Sequence, residues 1–294
     1  MAAAIVFCSD PLEPRQPDET FQREAASAAM LGFQRFLIDH DALDHNHNAA
    51  MATKRVRPDT SVNSVYRGWM MRAEDYRALY DALNAKGASL INTPEQYAAC
   101  HHAPESYPHI ASWAAETHWV PADCIDDADA IAKALAPFGT RSVVLKDWVK
   151  SQAAGYWNEA CFVPDASNLE QASRVIARFR ELQGESLVGG LVFRAYVPLN
   201  QIGGQAEEWR AFVLDSRVIG CWPRQGGSST EPPLALLDAV AASLPSRFAT
   251  VDFARQVDGG WLLLETGDGQ VSELPAAAES EAILKPLQAA LDRD

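Results

Sequence analysis

Val251-Asp252-Phe253-Ala254, the turn Asp258-Gly259-Gly260 and Leu264-Glu265-Thr266-Gly267-Asp268-Gly269-Gln270 make up the stretch on which the fold reading rests. Two apolar runs joined by a glycine-rich turn predict a β-hairpin. The hairpin carries Asp252 and Glu265, thirteen positions apart, each beside hydrophobic residues. Carboxylates in such surroundings need a cation. Hard oxygen ligands suit Mg2+, which takes one or two protein carboxylates and completes its shell with water and phosphate oxygens. The plain alternative is a pair of solvated hairpin residues.

Working outward, Glu208-Trp209-Arg210-Ala211-Phe212-Val213-Leu214-Asp215-Ser216-Arg217-Val218-Ile219-Gly220 predicts a second hairpin. Strand alternation puts Glu208 and Arg210 on one face, and Arg224 follows the second strand. A guanidinium fork there fits a phosphate or an acyl-phosphate. An exposed hairpin face with a weak salt bridge is the ordinary reading. Further upstream, Val143-Val144-Leu145-Lys146 ends an apolar strand with a lysine, and Lys150 precedes the small-residue loop Ser151-Gln152-Ala153-Ala154-Gly155-Tyr156. Backbone amides of such a loop suit phosphate, although a strand-end lysine is commonly a snorkelling edge residue.

The first ~110 residues alternate strand-like and helix-like segments, which predicts an α/β unit with a parallel sheet. The strands are Ala3–Cys8, Gln34–Ile38, Ser64–Trp69 and Ala88–Asn92; the helices are Phe21–Leu31 and Glu74–Lys86. Thr93 and Pro94 supply a helix start. Residues 111–185 and 186–294 read as two further α+β lobes. Asp39-His40-Asp41-Ala42-Leu43-Asp44-His45-Asn46-His47 reads as a polar loop, with a metal or substrate loop as the alternative.

At 48% apolar residues the chain can bury substantial cores, so disorder is excluded. A net charge of −14 disfavours general nucleic-acid binding. No apolar run approaches the roughly 20 residues that span a bilayer, and the start lacks a signal-peptide pattern, so a cytoplasmic location is the expectation. Five dispersed cysteines without a CxxC pair argue against a disulfide framework or a zinc knuckle. Oligomeric state is not legible.

The order of these parts resembles the ATP-grasp superfamily. They are a strand-end lysine, a small-residue loop, the extended Arg194-Ala195-Tyr196-Val197-Pro198-Leu199, an acid-x-Arg-x-Phe hairpin, then Val-Asp-Phe and a Leu-Glu strand. The hairpin is similar to that of the ligases that modify ribosomal proteins, and the whole pattern is similar to an ATP-grasp clade named for its arginine and lysine residues. The resemblance covers roughly Trp119 to the C-terminus, and residues 1–110 fit the pre-ATP-grasp domain that precedes it.

The resemblance implies ATP and Mg2+ as cofactors. It puts Lys146, with Lys150, at the phosphates, and the backbone of Ala195, Tyr196 and Val197 at the adenine edge. Glu208 joins the nucleotide-binding set, Asp252, Glu265 and Asp268 hold the metal, and Arg210 and Arg224 are the catalytic arginines. The implied reaction phosphorylates the carboxylate of a small molecule or peptide, and an amine or thiol then attacks. An ATP-binding interaction protein without catalysis, or a phosphotransferase to a hydroxyl, are the alternatives. Three positions depart from the family pattern: Gly267 where Asn is usual, Thr250 where Arg is usual, and Cys100-His101-His102 where an earlier lysine is usual.

Overall fold

Strand β1 (Ala4–Cys8) has all five residues buried, which requires cover on both faces and so a central position in a parallel sheet. The computed structural model, which describes residues 3–149, 153–224, 226, 228 and 230–293, places it there. It pairs in parallel with β2 (Gln34–Ile38) and β3 (Val62–Arg67), and β3 pairs with β4 (Ala88–Leu90), giving the order β2-β1-β3-β4. Ile5 and Phe7 enter one core with the helices Gln22–Met30 and Ser280–Leu291. Ala4, Val6 and Cys8 enter another with the helix Ala73–Asn84.

The chain continues through β5 (Thr117–Pro121), β6 (Val143–Lys146), β7 (Phe162–Val163) and β8 (Gly190–Ala195), an antiparallel sheet in the order β5-β8-β6-β7. Its helices Ala128–Leu135 and Leu169–Gln183 cover one face. A short ladder, β9 (Gln201–Ile202) with β10 (Gln205–Ala206), leads to β11 (Glu208–Leu214), β12 (Arg217–Pro223), β13 (Phe248–Arg255) and β14 (Trp261–Asp268), in the order β12-β11-β13-β14. No described helix is long and apolar enough to cross a membrane.

By packing, the chain forms two compact units. One comprises Met1–Cys100, Glu207–Asp252 and Thr266–Asp294; the other comprises His101–Ala206 and Phe253–Glu265. The three sequential segments expected from the sequence are thus regrouped, because the C-terminal segment contributes to both units. In the first unit, the helix Ser280–Leu291 packs Ile283, Leu284 and Leu287 with Ile5, Phe7, Phe212 and Phe248, so the parallel sheet shares its core with β11 and β13.

The expected strands and helices appear with ends moved by a few residues. The predicted start at Thr93 is a reciprocal cap: Gln96 N–H donates to Thr93 Oγ1 (3.3 Å) and Thr93 N–H to Gln96 Oε1 (3.0 Å). The stretch read as a polar loop is instead a short helix, His40–Asp44, because Asp39 caps it by accepting from Ala42 N–H (3.2 Å). His47 Nδ1 lies 2.8 Å from Asp75 Oδ1, and that hydrogen bond raises the imidazole pKa.

Candidate active site

Two groups of charged side chains stand out, one in each unit. In the first unit, β11 and β12 pair with Arg210 opposite Trp222 and Trp209 opposite Pro223, and Arg224 N–H donates to Glu208 O (2.9 Å). The expected sharing of a face by Glu208, Arg210 and Arg224 follows from this register. Arg210 grips Asp252 with two parallel bonds, Nε to Oδ1 (2.8 Å) and Nη2 to Oδ2 (2.7 Å), and its Nη1 donates to Glu273 O (3.0 Å). Arg224 Nη1 adds a bond to Asp252 Oδ2 (2.7 Å). Asp252 is 3% exposed at the side chain, Arg210 11% and Arg224 34%. One buried carboxylate therefore carries two guanidinium groups, of which Arg224 is the more accessible.

In the second unit, Lys146 ends β6 because Asp147 turns the chain. Asp147 Oδ1 accepts from Val149 N–H (2.6 Å), and its Oδ2 accepts from Gln183 Nε2 (3.1 Å) and Val188 N–H (3.2 Å). Lys146 Nζ lies 3.7 Å from Glu265 Oε2, with the lysine side chain 10% exposed and the carboxylate 47%. Burial lowers the Lys146 pKa; Glu265 opposes the shift and Arg194 adds to it. Arg194 on β8 donates through Nη1 to Leu264 O, and burial lowers its pKa as well. Sequence reasoning placed only the backbone after Arg194 at the site and missed its side chain.

The remaining expected residues fall as follows. Ala195 N–H donates to Glu116 O (2.8 Å) and Tyr196 N–H to Ser142 O (2.9 Å), so both amides are committed within the unit. Beside them the Tyr196 ring meets Phe162 (5.2 Å between centroids) and Trp157 (6.0 Å). Lys150 lies outside the described residues, as do Ser151 and Gln152 of the small-residue loop.

Asp268 faces the core of the first unit. Its Oδ2 accepts from Asn92 Nδ2 (2.6 Å), and its Oδ1 from Gln270 N–H (2.8 Å) and Gln270 Nε2 (3.2 Å). It is fully buried, and desolvation pushes its pKa up to about 6. At the departure position Gly267, an added Cβ would meet Thr250 Oγ1 at 2.8 Å and Ser272 Oγ at 3.1 Å. Those two hydroxyls are hydrogen-bonded to each other (2.7 Å), so the two departures Thr250 and Gly267 go together: the hydroxyl pair fills the space a side chain at 267 needs. Among the described residues, no group of three or more His, Cys, Asp or Glu side chains is set to hold a metal.

At the carboxyl ends of β1, β2 and β3, in the first unit, lies a cavity of about 240 Å3. Its lining includes Asp10, Asp18, Asp39, His40 and Trp69. In an open α/β sheet this is the usual place for a ligand, where the strand order reverses about β1.

Residues 137–287, just over half the chain, match an ATP-grasp domain, family 3 of the clade named for its arginine and lysine residues. No curated protein matches the sequence. Among solved structures, the chain is similar to the ATP-grasp ligase PsnB complexed with a phosphomimetic variant of its minimal precursor, Mg and ADP, at 14% identity over 100% of this chain and 97% of that one, TM-score 0.59. It is also similar to a RimK domain ATP-grasp protein from Sphaerobacter thermophilus, at 17% identity over 92% of each chain, TM-score 0.59. D-cycloserine synthetase DcsG gives 15% identity over 98% of this chain and 100% of that one, TM-score 0.63. At such identities the likeness is one of fold. The matched stretch takes in Lys146, Arg194, Arg210, Arg224, Asp252 and Glu265, and the chain belongs to the ATP-grasp family, in the clade named for arginine and lysine.

Proposed function

We propose that this protein is an ATP- and Mg2+-dependent ligase that activates the carboxylate of a small metabolite or peptide as an acyl-phosphate and joins it to an amine or thiol. The observation that carries the reading is the pair of charged groups at family-matched positions, Lys146 with Glu265 and two arginines on Asp252. Supporting it, PsnB was solved with Mg and ADP, and DcsG is named a synthetase. The sequential segments 1–110, 111–185 and 186–294 are proposed as the pre-ATP-grasp domain and the two lobes.

The donor set fits a magnesium ion in part. Glu265 is half exposed, with a long ion pair to Lys146, so its oxygens retain capacity for a hard cation. Asp252 qualifies once an arginine turns aside, and Asp268 is occupied in the core, so the proposed ligands narrow to Asp252 and Glu265. The ion, when bound, would offset charge on the phosphate oxygens.

In the first step a carboxylate oxygen attacks the γ-phosphorus, the bond to the bridging oxygen breaks, and ADP leaves. The amine or thiol then attacks the acyl carbon; the carbon–oxygen bond to phosphate breaks, phosphate departs with the electron pair, and the nucleophile gives up a proton. Lys146 holds the nucleotide phosphates. Arg224, with its single bond to Asp252, is the arginine free to turn toward the transferred phosphoryl group, while Arg210 keeps Asp252 in register. With the Ala195 and Tyr196 amides committed, Val197 and the carbonyls of this segment read the adenine edge. Glu208 borders the same face as both arginines. The cavity at the ends of β1 to β3 is the seat proposed for the substrate, and its carboxylates favour a partner bearing an amine.

A second reading, an ATP-binding protein without catalysis, draws on Gly267, where the hydroxyls of Thr250 and Ser272 leave no space for the usual amide ligand. Incubation with Mg-ATP, hydroxylamine and a panel of amino acids and short peptides separates the two. The ligase reading expects a hydroxamate with an equal amount of ADP. ATP binding with no hydroxamate from any carboxylate favours the second reading, ADP with a phosphorylated hydroxyl indicates a phosphotransferase, and no ATP binding at all overturns all three.

A further inference from the structure

The face of the second unit's sheet that carries Lys146 is set by register. Val144 lies opposite Arg194 and Lys146 opposite Val192, so these four share a face, while Val143, Leu145, Leu191 and Phe193 point into the core. Lys146 and Arg194 are thus diagonal neighbours on adjacent strands. Diagonal positions lie roughly 7–8 Å apart at the backbone, within reach of one another for long side chains.

Two like charges so placed repel, and burial makes both more costly. Within this unit the carboxylate acting on both is Glu265, itself half exposed. Arg194 has a further need. Its Nη1 bonds Leu264 O, but its Nε is buried and, among the described residues, has no hydrogen-bond partner. A guanidinium carries five N–H donors, and one left unmet in a dry site costs free energy that an incoming acceptor would recover. Two cations against one carboxylate, with a donor to spare, make a seat for an anion.

We infer that Arg194 is a second phosphate-holding residue, which with Lys146 grips the polyphosphate of the nucleotide. This rests on the nucleotide reading above and deepens it. A planar fork beside a point charge suits a chain of phosphates better than a single carboxylate. The plain alternative is that Arg194 only ties β8 to the Leu264 carbonyl.

Calorimetric titration of the full chain with ATP, ADP and adenosine tests the inference on the parent, Arg194→Gln and Arg194→Lys. The expectation is that Arg194→Gln weakens ATP binding by roughly tenfold or more, the scale of one hydrogen bond to a charged group, while adenosine binding stays within about twofold. Arg194→Lys keeps the charge and should recover part of the loss. Equal affinities for ATP in parent and Arg194→Gln, or equal losses for ATP and adenosine, overturn the inference while leaving ATP binding by the parent intact. Should Arg194→Gln not fold, Arg194→Lys carries the test: a loss for ATP without one for adenosine supports the role, and any other pattern refutes it. A parent that binds no ATP refutes the nucleotide reading itself, a distinct result.

Discussion

The two charged groups differ in how far each is already satisfied. Around Asp252 two arginines supply three hydrogen bonds to one carboxylate that is 3% exposed. Around Lys146 the carboxylate is 47% exposed, the ion pair is long, and the neighbouring Arg194 has an unmet donor. Removing a member of a saturated buried pair strands a charge and threatens the fold, whereas changing an open group alters what binds there. The first group is therefore expected to respond mainly in stability and the second mainly in function.

The largest effect expected is for Asp252→Ala. It leaves Arg210 and Arg224 uncompensated, so unfolding by denaturant should show a loss of about 3–5 kcal/mol. Glu265→Ala, at a half-exposed position, should cost less than about 1 kcal/mol. If the two variants lose equal stability, the contrast between the groups is broken.

Asp268 supplies the next effect. Its pKa rises from 3.8 unfolded to about 6 folded, so the neutral form is favoured in the fold. The stability this group contributes is fully present below pH 3.8 and is lost as pH rises through 6, a difference of about 3 kcal/mol at most. Asp268→Asn removes the titration. The parent's stability relative to this variant should therefore fall between pH 4 and pH 7, and an unchanged difference across that window contradicts the burial account.

Glu265→Gln sharpens the comparison from the other side. Mg2+-dependent turnover should fall by about 10²-fold with the fold retained, the scale seen when one transition-state stabiliser is lost. Full activity at every Mg2+ concentration would remove Glu265 from the site. Smallest is Arg224→Lys, which keeps charge but loses the fork. Turnover is expected to drop about tenfold, with ATP affinity little changed. An equal change in both, measured by steady-state kinetics and titration, would make Arg224 a binding residue alone.

Much of this arrangement was legible in the sequence. Ile5-Val6-Phe7-Cys8 announces a strand covered on both faces, and the order of Lys146, the 208–224 hairpin, Asp252 and Glu265 carries the resemblance that the family match bears out. Arg194 was not legible as a side chain at the site. In Val192-Phe193-Arg194-Ala195 it reads as any strand residue, and only the pairing of β8 with β6 sets it beside Lys146. Asp268 read as a candidate ligand because it neighbours Glu265. Its partner Asn92 is 176 positions away, and no local pattern discloses that bond. The two-unit packing was hidden for the same reason: β13 and β14 each contribute to both units, a property of the folded chain rather than of any segment.

The account's central claim is that this chain activates a carboxylate through an acyl-phosphate, and oxygen transfer tests it most directly. A carboxylate that yields hydroxamate would be supplied with 18O in both carboxyl oxygens, together with Mg-ATP and the nucleophile, and the released phosphate analysed by mass. An acyl-phosphate leaves one carboxyl oxygen on the phosphate, so one 18O per phosphate is predicted, in step with ADP. Phosphate released without 18O while product and ADP accumulate would contradict the claim.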